Sequence, residues 1–188
     1  MPGQNDSAET LVAAGGRVLF AEVGSTAPED ATTPMPVEWK ELGYISDAGV
    51  KVKPEISVKD IGAWQTANPI RRLVESRDLP IGFKLLQVNA DTVAFALGAT
   101  VETIAGETVI TPPSPEAVNE WALCVEALDE DRAFRIYCPK GMVTDVGDFE
   151  LMRTDVAGFD LTYKPTPEPD EDMWQMFASD PDAFPEGS

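Results

Sequence analysis

Side chains that take a proton, hold a metal or attack a bond are scarce in this sequence. It has no histidine, so the commonest general base and metal ligand are missing. Its two cysteines, Cys124 and Cys138, form no CxxC pair and are too few for a metal site. Two acidic triplets, Asp129-Glu130-Asp131 and Asp170-Glu171-Asp172, are the nearest approach to a carboxylate cluster. A calcium loop needs a defined ligand spacing and a turn glycine, and both triplets lack them. The first reads as a solvated hairpin turn, the second as part of a disordered tail. Gly15-Gly16 has the glycines of a phosphate loop, but no lysine and no helix follow. It reads as a hinge into a strand. No nucleophile elbow occurs. No catalytic residue, cofactor or metal is expected.

The chain has 188 residues, 33 acids against 14 bases and a net charge of −19. That length supports one domain with a hydrophobic core. Nucleic-acid binding by counterion release needs clusters of lysine and arginine, and this surface repels DNA and anionic membranes instead. Solubility alone explains such a charge; so does a surface past which DNA must move without sticking. No apolar run is long enough to span a bilayer, and Met1–Glu9 lacks the pattern of a secretory signal. A soluble product of a cytoplasm is expected.

The elements that give this surface its shape read mostly as short strands. Leu79, Ile81, Phe83 and Leu85 alternate with other residues, the period of a half-buried strand. Ile70–Ser76 before it is also extended, with Arg77-Asp78 as a two-residue turn, so the spacing predicts a hairpin over residues 70–86. Asn89-Ala90-Asp91-Thr92 supplies cap residues, Val93–Leu97 an apolar run and Gly98 a stop, which together predict a short helix. Upstream, residues 1–14 read as a mobile arm, Arg17–Val23 as a strand, Gly24–Pro36 as a loop and Val37–Leu42 as a helical turn seating Trp39. Downstream, Val101–Ile104 and Glu107–Ile110 form a hairpin about Ala105-Gly106, and residues 111–115 a proline-stiffened connector. Pro139-Lys140-Gly141 reads as a turn, and Phe149–Met152 and Phe159–Lys164 as the last strands.

Register decides the redox state of the cysteines. Trp121, Leu123 and Val125 share one face, and Phe134, Ile136 and Cys138 share another. Pairing the two sets places Val125 opposite Ile136 and Leu123 opposite Cys138, with Glu130-Asp131 at the turn. Cys124 then points to the far face and both thiols stay reduced. A one-residue slip would bring the cysteines together but split the apolar set. The sum is a mainly β sandwich or barrel over residues 15–164 with one short flanking helix.

Two stretches carry surface residues that suit contacts. Residues 47–65 hold Lys51, Lys53, Lys59, Ile61 and Trp64, and Pro54 is unsuited to a central strand. The tract is either an edge protected by lysine and proline or an extended arm that touches another subunit. Residues 165–188 hold seven acids, five prolines and no base, a composition that disfavours regular structure. Within it Met173-Trp174-Gln175-Met176-Phe177 is apolar. Trp174 and Phe177 either anchor the tail on a partner or fold back on their own domain.

An ordered series of segments then resembles a family. Arg17-Val18-Leu19-Phe20-Ala21-Glu22-Val23-Gly24-Ser25-Thr26-Ala27-Pro28, Asp30-Ala31-Thr32-Thr33, and Trp39-Lys40-Glu41-Leu42-Gly43-Tyr44-Ile45-Ser46 followed by Gly49-Val50 look like the opening of major tail proteins from long-tailed, non-contractile phages of actinobacteria. Ile61–Trp64, the 70–86 segment and the Asn89–Gly98 helix follow in the family's order, so the resemblance covers about residues 15–166. It implies a β-sandwich tail tube subunit of the virion, with hexameric rings stacked into a hollow tube through which DNA passes without specific binding. It also implies tape measure, terminator and distal tail proteins as partners. Other classes remain: a head–tail connector or tail terminator ring, a monomeric β-sandwich module binding through Trp39, Trp64 or Trp121, and, least supported, an enzyme.

Overall fold

Alternation of apolar and polar residues builds most of the molecule. The structure, a computed structural model, describes residues 12–129, 132–149, 151–154, 156–168 and 172–179. Most of the predicted 1–14 arm, the Glu130-Asp131 turn and much of the 165–188 tail, including Asp170 and Glu171, lie outside the described residues.

One sheet carries the core. Its strands are β1 (Gly15–Glu22), β2 (Lys40–Glu41), β3 (Ile45–Val52), β6 (Ile81–Leu85), β9 (Trp121–Asp129), β10 (Arg132–Val146), β11 (Phe159–Pro165) and β12 (Gln175–Ala178). The order is β2-β1-β9-β10-β11-β6-β3, with β12 also paired to β10 and every pairing antiparallel. Val18 and Phe20 of β1 share one cluster with Ile81, Phe83 and Leu85 of β6. Four strand spacings separate β1 from β6, about 19 Å across a flat sheet. The sheet therefore coils until its two halves face each other, giving a sandwich-like body. β1 and β3 do not pair, so no barrel closes.

The helix α1 (Ala90–Leu97) packs into that core through Val93, Phe95 and Ala96. Its start follows from the cap: the Thr92 amide donates to Asn89 Oδ1 (2.9 Å), and the Asn89 amide donates to Thr92 Oγ1 (2.8 Å). Gly98, at φ 62°, ends it in the left-handed conformation. Phe95 stands at the centre, 5.2 Å from Phe20 and 6.4 Å from Phe83, Trp121 and Tyr163 between ring centroids.

A second apolar layer lies on the outer face of β1, β9 and β10. Leu19, Ala21, Ala122, Cys124 and Tyr137 pack there with Trp39, and Met35 and Phe177 cover them. Arg135, 2% exposed, fastens the covering loop: its guanidinium donates to the Asp30 carbonyl, to the Thr33 carbonyl (3.0 Å) and to Glu126 Oε1 (2.5 Å). Glu126 also pairs with Arg17.

The β9–β10 register matches the apolar pattern. Val125 faces Ile136 and Leu123 faces Cys138. Cys138 lies in the central core, Cys124 in the outer layer, and both are free. Desolvation pushes each thiol up to about 12.

Four local expectations are corrected. The 70–86 hairpin does not form. β5 (Thr66–Asp78) pairs with β4 (Glu55–Ala63), while β6 pairs with β11 and β3. β6 has a period-two apolar face to bury, whereas Ile70, Leu73 and Val74 in β5 share no such face. Pro139-Lys140-Gly141 is no turn. It lies inside the 15-residue β10, at the bulge where pairing passes from β9 to β11. Proline is tolerated there because the ladder is already interrupted. Gly141 is required there, because a Cβ would strike the Lys164 carbonyl and the Tyr163 ring. Phe149–Met152 contributes no strand among its described residues, although Phe149 stacks on Phe159 at 4.8 Å. Val37–Leu42 is a turn leading into β2, with Trp39 buried and its indole N–H donating to the Thr26 carbonyl (2.9 Å).

Candidate assembly surface

Two hairpins stand apart from the main sheet. β4 and β5 make one, turning at Trp64-Gln65; β7 (Thr100–Ile104) and β8 (Glu107–Thr111) make the other. A lone two-stranded hairpin is marginally stable in water and has free edges on both sides. Both present apolar side chains to solvent. On the first these are Ile56, Val58, Ile70, Leu73, Val74 and Trp64, the last fully exposed; on the second, Ile104, Val109 and Ile110.

The predicted contact residues fall on different parts of this region. Lys51 lies on β3, within the main sheet. Lys53 lies in the β3–β4 link, Lys59 and Ile61 on β4, and Trp64 at the tip. The projecting element therefore spans residues 55–78, whereas residues 45–52 form the edge of the body. Sequence reasoning left out its second limb, Thr66–Asp78, which the expected 70–86 hairpin had assigned to the body. The available signal was the unperiodic apolar pattern of residues 70–74.

Charge separates the two hairpins. The first, residues 55–78, holds four bases and four acids and is neutral in a chain of −19. β7–β8 carries Glu102 and Glu107 and no base. On the first hairpin Arg72 pairs with Asp60 (2.9 Å) and Lys59 with Glu75 (3.7 Å), and Lys53 pairs with Glu55 at its root (2.7 Å). The Lys53 hydrogen bond and charge hold the Glu55 carboxyl below its usual range, and Glu55 raises Lys53 in return. Such exposed pairs add little stability. Arg71 and Arg77 make no ion pair among the described residues.

The tail residues separate as well. β12 lies along β10 on the side away from β9, in line with β11, and places Phe177 against the outer layer. Trp174 precedes it and stays 39% exposed. The tryptophans do not converge: Trp39 is buried, Trp121 packs on Phe20 (5.3 Å), and Trp64 is at the hairpin tip. Among the described residues no group of histidine, cysteine or acidic side chains is arranged to hold a metal, and no helix is long and apolar enough to cross a membrane.

The fold defines a mainly β, sandwich-like protein with two hairpins outside its main sheet. Residues 2–187 match the family model described as phage tail tube protein. The chain belongs to the phage tail tube protein family, and its place is the tail of the virion. Among curated proteins no match is found. Among solved structures, a chain in the cryo-EM structure of the anti-feeding prophage (AFP) baseplate, 6-fold symmetrised, is similar at 13% identity and a TM-score of 0.42, over 89% of this chain and 95% of that one.

Proposed function

We propose that this protein self-assembles into hexameric rings that stack into the hollow tail tube of a long-tailed, non-contractile phage of actinobacteria, the conduit for DNA during ejection. The observation that carries this reading is the β4–β5 hairpin. It holds six large apolar side chains in water, has free edges, and carries as many bases as acids in a chain of −19, so a second acidic copy is a suitable cover. Lys51, Lys53, Lys59, Ile61 and Trp64 belong to that contact. The remainder of the chain carries −19, which suits a lumen that does not retain the DNA backbone. Tape measure, terminator and distal tail proteins are the expected partners at the ends of the tube.

The test is negative-stain electron microscopy of the concentrated protein at low and high salt. Salt screens the repulsion between subunits, so hollow tubes are expected to lengthen or appear as ionic strength rises. Isolated rings that never stack would favour a connector or terminator. A chain that stays monomeric in every condition would favour a binding module. Replacing residues 55–78 by a short glycine–serine link is expected to abolish stacking and leave a folded body. Normal tubes from that variant would rule out the arm. Deleting residues 47–65 is the wrong test, because it removes most of β3 from the main sheet.

A further inference from the structure

The coiled sheet leaves a groove where it fails to close. The facing edges are β1, around Gly15–Val18, and β3, around Ile45–Val52, with Val125, Glu126 and Ala127 of β9 and Ile136 of β10 as the floor. The cavity measures about 530 Å³, within the range of sites that take a side chain or small ligand. Its walls are mainly aliphatic. Its charged lining is Glu41, Asp47 and Glu126 against Arg17.

We propose that this groove receives the Trp64 tip of the β4–β5 hairpin of a second copy of the chain. The inference rests on the reading of that hairpin as a subunit contact and names the surface it meets. Three features select the occupant. Trp64 is the only fully exposed tryptophan among the described residues, and tryptophan is the side chain that most often anchors an interface from a pocket. The tip half of the hairpin, residues 59–73, holds Lys59, Arg71 and Arg72 against Asp60, and it meets a groove that offers Glu41 and Asp47, Glu126 being held by Arg17 and Arg135. Each limb of nine or more residues spans about 30 Å, enough to carry the tip beyond its own body. The second hairpin fails on the same counts: it turns at Ala105-Gly106 with no large side chain to seat, and its two glutamates, with no base beside them, would meet like charge. Because the groove and the tip are different surfaces, the contact is heterologous. It passes from copy to copy without using itself up, as a stacking contact must.

Cysteine cross-linking tests this in the full chain. Cys124 and Cys138 are buried and keep their protons at ordinary pH, so introduced thiols report alone. Chains carrying Gln65→Cys beside the tip are mixed with chains carrying Ser46→Cys in the groove, and mixed disulfides are followed on non-reducing gels. The expected rate exceeds that of Gln65→Cys with Ile104→Cys on the other hairpin by about tenfold, and adding Trp64→Ala to the Gln65→Cys chain removes the excess. If wild-type tubes form and the groove pair cross-links no faster than the control, the groove assignment is overturned while the arm reading stands. Normal tubes without residues 55–78 overturn both. A wild-type chain giving neither polymer nor cross-link also overturns both.

Discussion

Strands β11 and β5 are both rich in residues that favour extended backbone, yet one is at the centre of the molecule and the other is in water. In β11 the apolar residues fall at Phe159, Leu161 and Tyr163, and each is at most 4% exposed. In β5 they fall at Ile70, Leu73 and Val74, mixed with Arg71, Arg72 and Glu75, and every residue but the last is exposed. Backbone pairing with β4 is enough to make β5 a strand. It is not enough to bury it, because a strand enters a core only when one face is consistently apolar. A strand with apolar groups on no single face stays outside until another surface covers it. The body thus holds the buried apolar surface, and the hairpin holds exposed apolar surface.

Substitutions sharpen that division. The largest effect belongs to Phe95→Ala, which removes the ring at the meeting point of four aromatic neighbours. A loss of about 3–5 kcal/mol is expected in urea denaturation. Trp64→Ala is the counterpart on the hairpin: stability should stay within about 0.5 kcal/mol of the parent, while assembly seen by electron microscopy is lost. Equal destabilisation by the two changes would break the comparison. Next comes Arg135→Ala. It releases the Asp30–Thr33 loop and leaves Glu126 buried with Arg17 alone, at a cost of about 3 kcal/mol, read from the same denaturation curves.

A smaller effect follows from the helix cap. Asn89→Ala removes the Oδ1 acceptor of the Thr92 amide and should cost about 1 kcal/mol, with no change in assembly beyond that stability loss. The buried thiols add a pH dependence of the body alone. The ordinary thiol value is 9.0 and burial raises both to about 12. The folded chain therefore keeps protons that the unfolded chain releases. Stability from this source is complete below pH 9 and declines as pH rises toward 12. A thiol reagent at pH 8 should label the denatured protein and leave the native protein unlabelled.

Much of the body was legible from local pattern. The alternation of residues 79–85 and 159–164, the Asn89 cap with its Gly98 stop, and the matching of Leu123 with Cys138 each rest on spacings of a few residues. Ala105 and Gly106 both take positive φ, 53° and 88°, as a tight hairpin turn requires. The candidate surface was legible in part. The pattern puts Lys59, Ile61 and Trp64 in a tract that is either a protected edge or an arm, and gives its return limb to the body, because Arg77-Asp78 before an apolar strand has the look of a turn. Leu79-Pro80 is instead the passage between two sheets.

By itself, the sequence determined the apolar alternation of residues 79–85, 121–125 and 159–163, where α1 starts and stops, which face of these strands points inward and that the cysteines stay apart. These depend on periods and caps that act within a strand or a turn. Only the tertiary structure decided which strands pair, that β10 runs unbroken through Pro139, that β12 brings Phe177 back onto the outer layer, and that β1 and β3 leave a groove between them. Partner choice is a competition among all the apolar faces of the chain for the same neighbours. No local spacing records its outcome, because the energy that settles it comes from burial between residues far apart in sequence.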